Sequence, residues 1–203
     1  MPHLATMKTF SLFASLLFAA LLVACEKNSP SQPQFHATDI TGASFARDFA
    51  LPDHNGQTRR LADFRGKVVA VFFGYTHCPD VCPTTLTDFA QALKSLGANA
   101  AKVQVLFVTV DPERDTPELL RQFVPAFNPT FLGLHPDAAQ LNAVTKEFKV
   151  VHQKTATQEP GDYLVDHSAG TYIFDPQGRI RLLMPYGSKP ADIADDLKIL
   201  LRS

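Results

Sequence analysis

The stretch "KVVAVFFGYTHCPDVCPTTL", Lys67 to Leu86, runs a wholly apolar segment into a loop with two cysteines and then into a helix start. From Val68 to Tyr75 the residues form a continuous apolar run, mostly β-branched or aromatic, entered through Gly66 and Lys67. A strand of this kind expects burial on both faces, as in the middle of a parallel sheet. The cysteines, Cys78 and Cys82, stand one residue further apart than in a C-x-x-C dithiol, and each precedes a proline, Pro79 or Pro83. Proline disfavours the α conformation in the residue before it. The spacing therefore predicts Cys78 at the strand end, Cys82 at the N-cap and Pro83 at the first helical position. Pro79-Asp80-Val81 would form a stiff turn directing both sulfurs to one side. A helix N-terminus lends partial positive charge and favours thiolate. Two such sulfurs form a disulfide or bind a soft cation such as Cu(I).

Working outward, Leu86, Phe89, Ala90, Leu93 and Leu96 make the apolar stripe of the helix, and Gly97 ends it. "KVQVLFVTV" (102–110) predicts a second strand and "DTPELLRQFV" (115–124) a helix with Pro117 in its first turn. A third helix is expected from Asp137 to Phe148, then a polar loop over 155–162. "GTYIF" (170–174) and "RIRLLM" (179–184) flank "DPQG" and read as an antiparallel hairpin, followed by a helix after Ser188. Upstream, Phe49 to Gly66 predicts a short hairpin turning at His54-Asn55-Gly56. Alternating β and α followed by an antiparallel pair implies an α/β fold, a mixed central sheet with helices on both faces. It is the order of a thioredoxin-like fold with an N-terminal hairpin extension, the cysteines ending its first central strand.

The 203 residues suit one domain plus an additional segment. Nineteen Lys and Arg nearly balance 20 Asp and Glu, so no field is available to draw nucleic acid, and no nucleic-acid partner is expected. The additional segment is N-terminal. After Lys8 the uncharged run Thr9 to Ala24 is shorter than the roughly 20 residues a bilayer-spanning helix needs, and it suits a secretory signal. It ends Leu22-Val23-Ala24-Cys25, which resembles the bacterial lipobox, implying cleavage before Cys25 and lipidation of its sulfur; an ordinary signal or uncleaved anchor is the alternative. Met7 is a second candidate start. The expected organisation is a signal peptide over 1–24, a lipid-anchored polar tether over 25–40 and one exported domain over 41–203. Export places Cys78 and Cys82 in an oxidising compartment.

Two sulfurs alone leave a copper ion exposed, so a third ligand is expected among seven histidines. His3 falls in the signal, His36 in the tether and His54 in a turn. Strand alternation sends His77 away from Cys78. His135 and His152 read as surface or packing residues. His167 lies in "DYLVDHSAGTYIF", in the loop entering the strand beside the first central strand, and so faces the cysteine loop. Position alone leaves open whether it reaches the sulfurs.

"FFGYTHCPDVCPTTL", "VTVDPERDTPE" and "DYLVDHSAGTYIFDPQG" together resemble the Sco (SenC) family of copper proteins for cytochrome oxidase assembly, over roughly residues 45 to 200. The resemblance implies copper ligands at Cys78, Cys82 and His167, one copper as Cu(I) or Cu(II) per domain, and a copper metallochaperone for the dinuclear copper site of cytochrome c oxidase. The partners it implies are the copper-bearing oxidase subunit, a periplasmic copper donor and, through Cys25, a membrane. Asp166 is a candidate acceptor for the second ring hydrogen of His167. Asp80 either tunes the charge of the site or is a solvated turn residue. Asp111, Glu113 and Asp115 are expected to shape a strand-to-helix turn, Asp115 and Glu118 having capping-box spacing.

The rival reading is a thiol–disulfide oxidoreductase acting through Cys78 and Cys82, which would keep the oxidase cysteines reduced. Ala169 stands where dithiol relatives carry a cis-proline, with His167 two residues before it. A peroxiredoxin motif fails at Val71 and Tyr75. Structural zinc usually takes four protein ligands, and three converge here.

Overall fold

The computed structural model describes residues 33–202, so the expectations for the signal segment and Cys25 lie outside the described residues. Four short or paired strands lead in: β1 (Thr38–Asp39), the hairpin β2 (Ala50–Pro52) and β3 (Thr58–Arg60), and β4 (Val68–Gly74). Helix α1 (Val81–Ser95), β5 (Val103–Thr109), α2 (Pro117–Phe127), β6 (Leu132–Leu134) and α3 (Ala138–Phe148) follow. The chain then forms β7 (His152–Ala156), β8 (Tyr163–His167), β9 (Thr171–Phe174), β10 (Ile180–Met184) and α4 (Pro190–Leu200).

The six-stranded sheet has the order β1-β10-β9-β4-β5-β6. β4, β5 and β6 are parallel, while β9 runs antiparallel to β4 and β10 to β9. Every residue of β4 and β5 is buried. Alternation splits their side chains between two layers: Phe72 packs on Phe107 and, through it, on Phe123 of α2, whereas Phe73 packs on Phe148 of α3 and on Tyr172. Each such ring contributes about 1.5–3 kcal/mol through burial. The architecture is the thioredoxin-like mixed sheet, covered on both faces.

Several local expectations need correction. α1 begins at Val81 with Asp80 as N-cap, so Cys82 sits in the first helical turn rather than ahead of it. Pro83 is harmless there because the first-turn N–H groups have no helical acceptor. Thr116, not Asp115, caps α2: its side chain accepts from the Leu119 N–H at 3.2 Å. The expected polar loop is present over 157–162, trimmed only at Thr155 and Ala156, but it is the turn of an unanticipated β7–β8 hairpin, a separate two-stranded sheet. β6 was not anticipated either. The compact unit includes the chain from Phe35 onward. β1 pairs with β10, and the buried Asp196 carboxylate accepts the His36 and Ala37 N–H groups at 2.9 and 2.8 Å. Among the described residues no helix is long and apolar enough to cross a membrane.

Candidate dithiol–histidine metal centre

The site lies where β4 ends. Gly74 closes the strand against the Cys82 sulfur: a Cβ there would stand 2.9 Å from that Sγ and 2.8 Å from Phe107, so only glycine fits. Cys82 is fully buried and Cys78 partly so, and both are free thiols. Because Cys82 occupies the first turn of α1, its N–H is available and donates to the Cys78 sulfur at 3.4 Å. The helix thus points its unpaired donors at Cys78.

The two thiols have opposite acid–base character. Cys78 is pulled down to about 5, chiefly by a hydrogen bond from the Cys82 thiol, with the Asp80 and Cys82 N–H groups assisting against burial. Cys82 is pushed up because it gives that hydrogen bond to Cys78 and because it is buried. Cys78 is the thiolate and Cys82 holds the proton.

His167 arrives from the other side, at the end of β8. Its Nε2 lies 3.6 Å from the Cys82 Sγ, and its Nδ1 faces the Ser168 carbonyl oxygen at 3.0 Å. With Nδ1–H donating to that carbonyl, Nε2 carries the lone pair toward the sulfurs. The rings of Phe72 and Tyr75 flank the imidazole edge-on at 6.1 and 6.0 Å and fix its plane. Cys78, His167 and Ala169 open together into a shallow cleft of about 220 Å³. The three sulfur and nitrogen donors are neighbours through Cys82. They are not drawn into a closed cage, and no group of three or more His, Cys, Asp or Glu side chains among the described residues is.

Asp166 does not serve His167. Adjacent strand residues point to opposite faces, and the Asp166 carboxylate accepts from the Thr155 hydroxyl at 2.7 Å instead. Asp80 accepts from the Thr84 hydroxyl at 3.2 Å, and its backbone N–H supports Cys78. The His77 Nδ1 lies against the Thr76 hydroxyl at 3.1 Å.

Two supports were missed in the sequence. Asp115, fully buried, accepts from the Thr76 N–H at 3.0 Å, the Thr76 hydroxyl at 2.6 Å and the Thr109 hydroxyl at 2.6 Å. It ties the base of the cysteine loop to β5. Arg114 ties down the hairpin that carries His167. Its Nε meets the buried Asp111 carboxylate at 2.5 Å, its Nη1 donates to the Tyr163 carbonyl at 2.9 Å, and its guanidinium stacks on the Tyr163 ring at 3.6 Å. The Tyr163 hydroxyl closes the clamp on Asp111 at 2.8 Å. Both supports stand in "DPERDTPE", where clustered charge was the only available signal.

Fold and site together define a class: a thioredoxin-like domain with a vicinal dithiol at the end of its central strand and an imidazole facing it. The SCO1/SenC family model matches residues 37–202. The chain is 40% identical over 167 residues to the mitochondrial protein SCO2 homolog of Bos taurus, covering 81% of this chain and 63% of that protein. It therefore spans less than two thirds of that relative's length. The structure of Bradyrhizobium japonicum ScoI with copper bound superposes with a TM-score of 0.69 at 39% identity, covering 75% of this chain and 97% of the other. The solution structure of apo Sco1 from Thermus thermophilus gives 0.74 at 39% identity, covering 84% and 99%. The chain belongs to the SCO1/SenC family.

Proposed function

We propose that this protein is an extracytoplasmic copper metallochaperone that binds one copper through Cys78, Cys82 and His167. It hands the ion to the dinuclear copper site of cytochrome c oxidase. The observation that carries the reading is the approach of His167 Nε2 to Cys82 Sγ at 3.6 Å, beside the Cys78 thiolate. Two thiolates and one imidazole suit Cu(I), a soft ion satisfied by few ligands. Binding Cu(I) releases the Cys82 proton. The copper-bound Bradyrhizobium relative, at 39% identity, supports copper as the cargo. A half-open site with few ligands allows a partner's thiolates to replace these one at a time. The oxidase client follows from the family resemblance, and the lipobox-like segment ending at Cys25 supports an exported protein anchored to a membrane.

The test is Cu(I) titration of the reduced protein against a competing chelator. One equivalent should bind tightly. His167→Ala should weaken binding by more than the roughly 10–100-fold that losing an outer-sphere partner costs, with unchanged thermal unfolding. Unaltered affinity would sink the three-ligand reading. For the anchor, incorporation of a lipid precursor should disappear in Cys25→Ser.

The asymmetry of the thiols favours a second reading, a dithiol reductant for the client's cysteines. The Cys78 thiolate would attack a client disulfide and expel one client thiolate. Cys82, after giving up its proton, would then attack the Cys78 sulfur and expel the other. Two electrons pass to the client, and a Cys78–Cys82 disulfide remains. Turnover of an oxidase-fragment disulfide by the metal-free protein is the discriminating measurement.

A further inference from the structure

The foot of the β7–β8 hairpin carries two histidines. His152 opens β7, His167 closes β8, and they are direct cross-strand partners. Their pair type follows from the next rung: the Ser168 N–H donates to the Val151 carbonyl at 3.0 Å, placing the hydrogen bonds on Val151–Ser168. His152–His167 is therefore a non-hydrogen-bonded pair. In such pairs the Cα atoms approach to about 4.5 Å and both side chains stand on the same face. That face also carries the buried Val165. Thr155 and Asp166, bonded to each other, mark the opposite one. The two imidazoles are thus neighbours on one face of the hairpin, the face from which His167 reaches the Cys82 sulfur.

His152 is half-buried, and among the described residues its ring has no hydrogen-bond or ion-pair partner. His167, by contrast, is engaged at both nitrogens. His152 also lines a separate cleft of about 520 Å³ with Glu113, His135 and Lys154, which gives it access to solvent. An unpartnered imidazole between an open cleft and a ligand histidine is a donor without a task in the apo fold.

We propose that His152 is an auxiliary copper ligand, joining Cys78, Cys82 and His167 when the bound ion is Cu(II) and standing free when it is Cu(I). The inference rests on the copper reading above. Cu(I) is satisfied by two thiolates and one imidazole. Cu(II) favours four-coordinate tetragonal sites and imidazole nitrogen, and the three expected ligands leave one position open. No electron transfer is involved: each ion is supplied in its own oxidation state, and only ligands exchange.

The experiment loads the reduced full chain with Cu(II) sulfate or, separately, with Cu(I) supplied as its acetonitrile complex. Wild type, His152→Ala, His152→Asn and His167→Ala are compared. Nitrogen couplings in the Cu(II) electron paramagnetic resonance spectrum should number two in wild type and one in each single variant. Cu(I) affinity should stay within about twofold of wild type in both His152 variants, the scale of an ordinary surface change, and fall in His167→Ala. One nitrogen in wild type, or two remaining in both His152 variants, overturns the proposal while leaving the copper reading intact. Cu(I) affinity indifferent to His167→Ala overturns the copper reading, and this proposal with it.

Discussion

The cysteine half of the site grows out of the main sheet, whereas the histidine half arrives on an arm. Cys82 is fully buried on Gly74, at the end of a strand buried along its whole length, and Asp115 locks the intervening loop to β5. His167 ends a two-stranded hairpin that shares no strand pairing with the main sheet, and β7 is exposed over most of its length. Polar contacts, chiefly Arg114 against Asp111 and Tyr163, hold that arm down. Buried backbone ladders open only with much of the fold, while an exposed hairpin opens locally at low cost. Under the copper-carrier function proposed above, this division would serve both binding and release: the sulfurs stay preorganised, and His167, as the third ligand, would be able to leave first.

The largest contrast should appear within the cysteine half. In metal-free reduced protein the Cys78 thiolate prevails above about pH 5 and is lost on acidification, while Cys82 stays protonated far above it. Alkylation followed by mass spectrometry should therefore modify Cys78 first, with a rate that rises through a midpoint near 5 instead of the usual thiol value of about 8.5. Equal labelling of the two, or an ordinary midpoint, would mean that the Cys82 thiol does not hold Cys78 as a thiolate through their hydrogen bond.

Gly74→Ala tests how rigid that half is. The added carbon meets Phe107 at 2.8 Å and both Cys82 Sγ and Phe72 at 2.9 Å, all on buried residues without room to shift. Overpacking of this kind costs about 1–3 kcal/mol, read as a lower urea midpoint. Because one of the obstructing atoms is the sulfur itself, weaker copper binding should accompany the lost stability. A variant with full stability would show that the strand end is looser than its packing implies.

Tyr163→Ala tests the other half. It removes the ring under Arg114 and the hydroxyl on Asp111 but leaves the Arg114–Asp111 pair in place. Hydrogen exchange should quicken over 152–167 while the protection of β4 and β5 persists. Copper affinity should fall about tenfold, the low end of what an outer-sphere support is worth. Unchanged exchange in the hairpin would locate its anchorage elsewhere.

The same division explains what the sequence disclosed. β4, β5 and the α1 stripe are legible because burial writes itself as apolar runs and helical periodicity. Cys78 and Cys82 are legible because proline and thiol chemistry are local. β7 has almost no apolar pattern, since it is ordered by its partner strand and by the Lys154–Glu113 pair. β6, Leu132-Gly133-Leu134, is too short to signal and exists because β5 offers it an edge. Asp115 resembled a helix cap since its true partner, Thr76, lies 39 residues away in sequence. β1 depends on Asp196, 159 residues from Ala37. His167 itself was placed near the sulfurs by topology and assigned as a ligand by resemblance, not by any pattern of its own.

Asp166→Asn should have the smallest effect, and its smallness is informative. Asp166 precedes His167 in the chain, which makes it an attractive partner for the imidazole, but the strand turns it to the outer face and Thr155 takes its carboxylate. The Ser168 carbonyl fills the place it would have had at Nδ1. Asparagine keeps an oxygen for Thr155, so copper affinity and the Cu(II) spectrum should match wild type within about twofold, as for an exposed neutral substitution. A tenfold loss would mean that the hairpin rotates when it loads copper, bringing Asp166 inward. The arm would then have two registers of contact, and its looseness would be part of binding as well as of release.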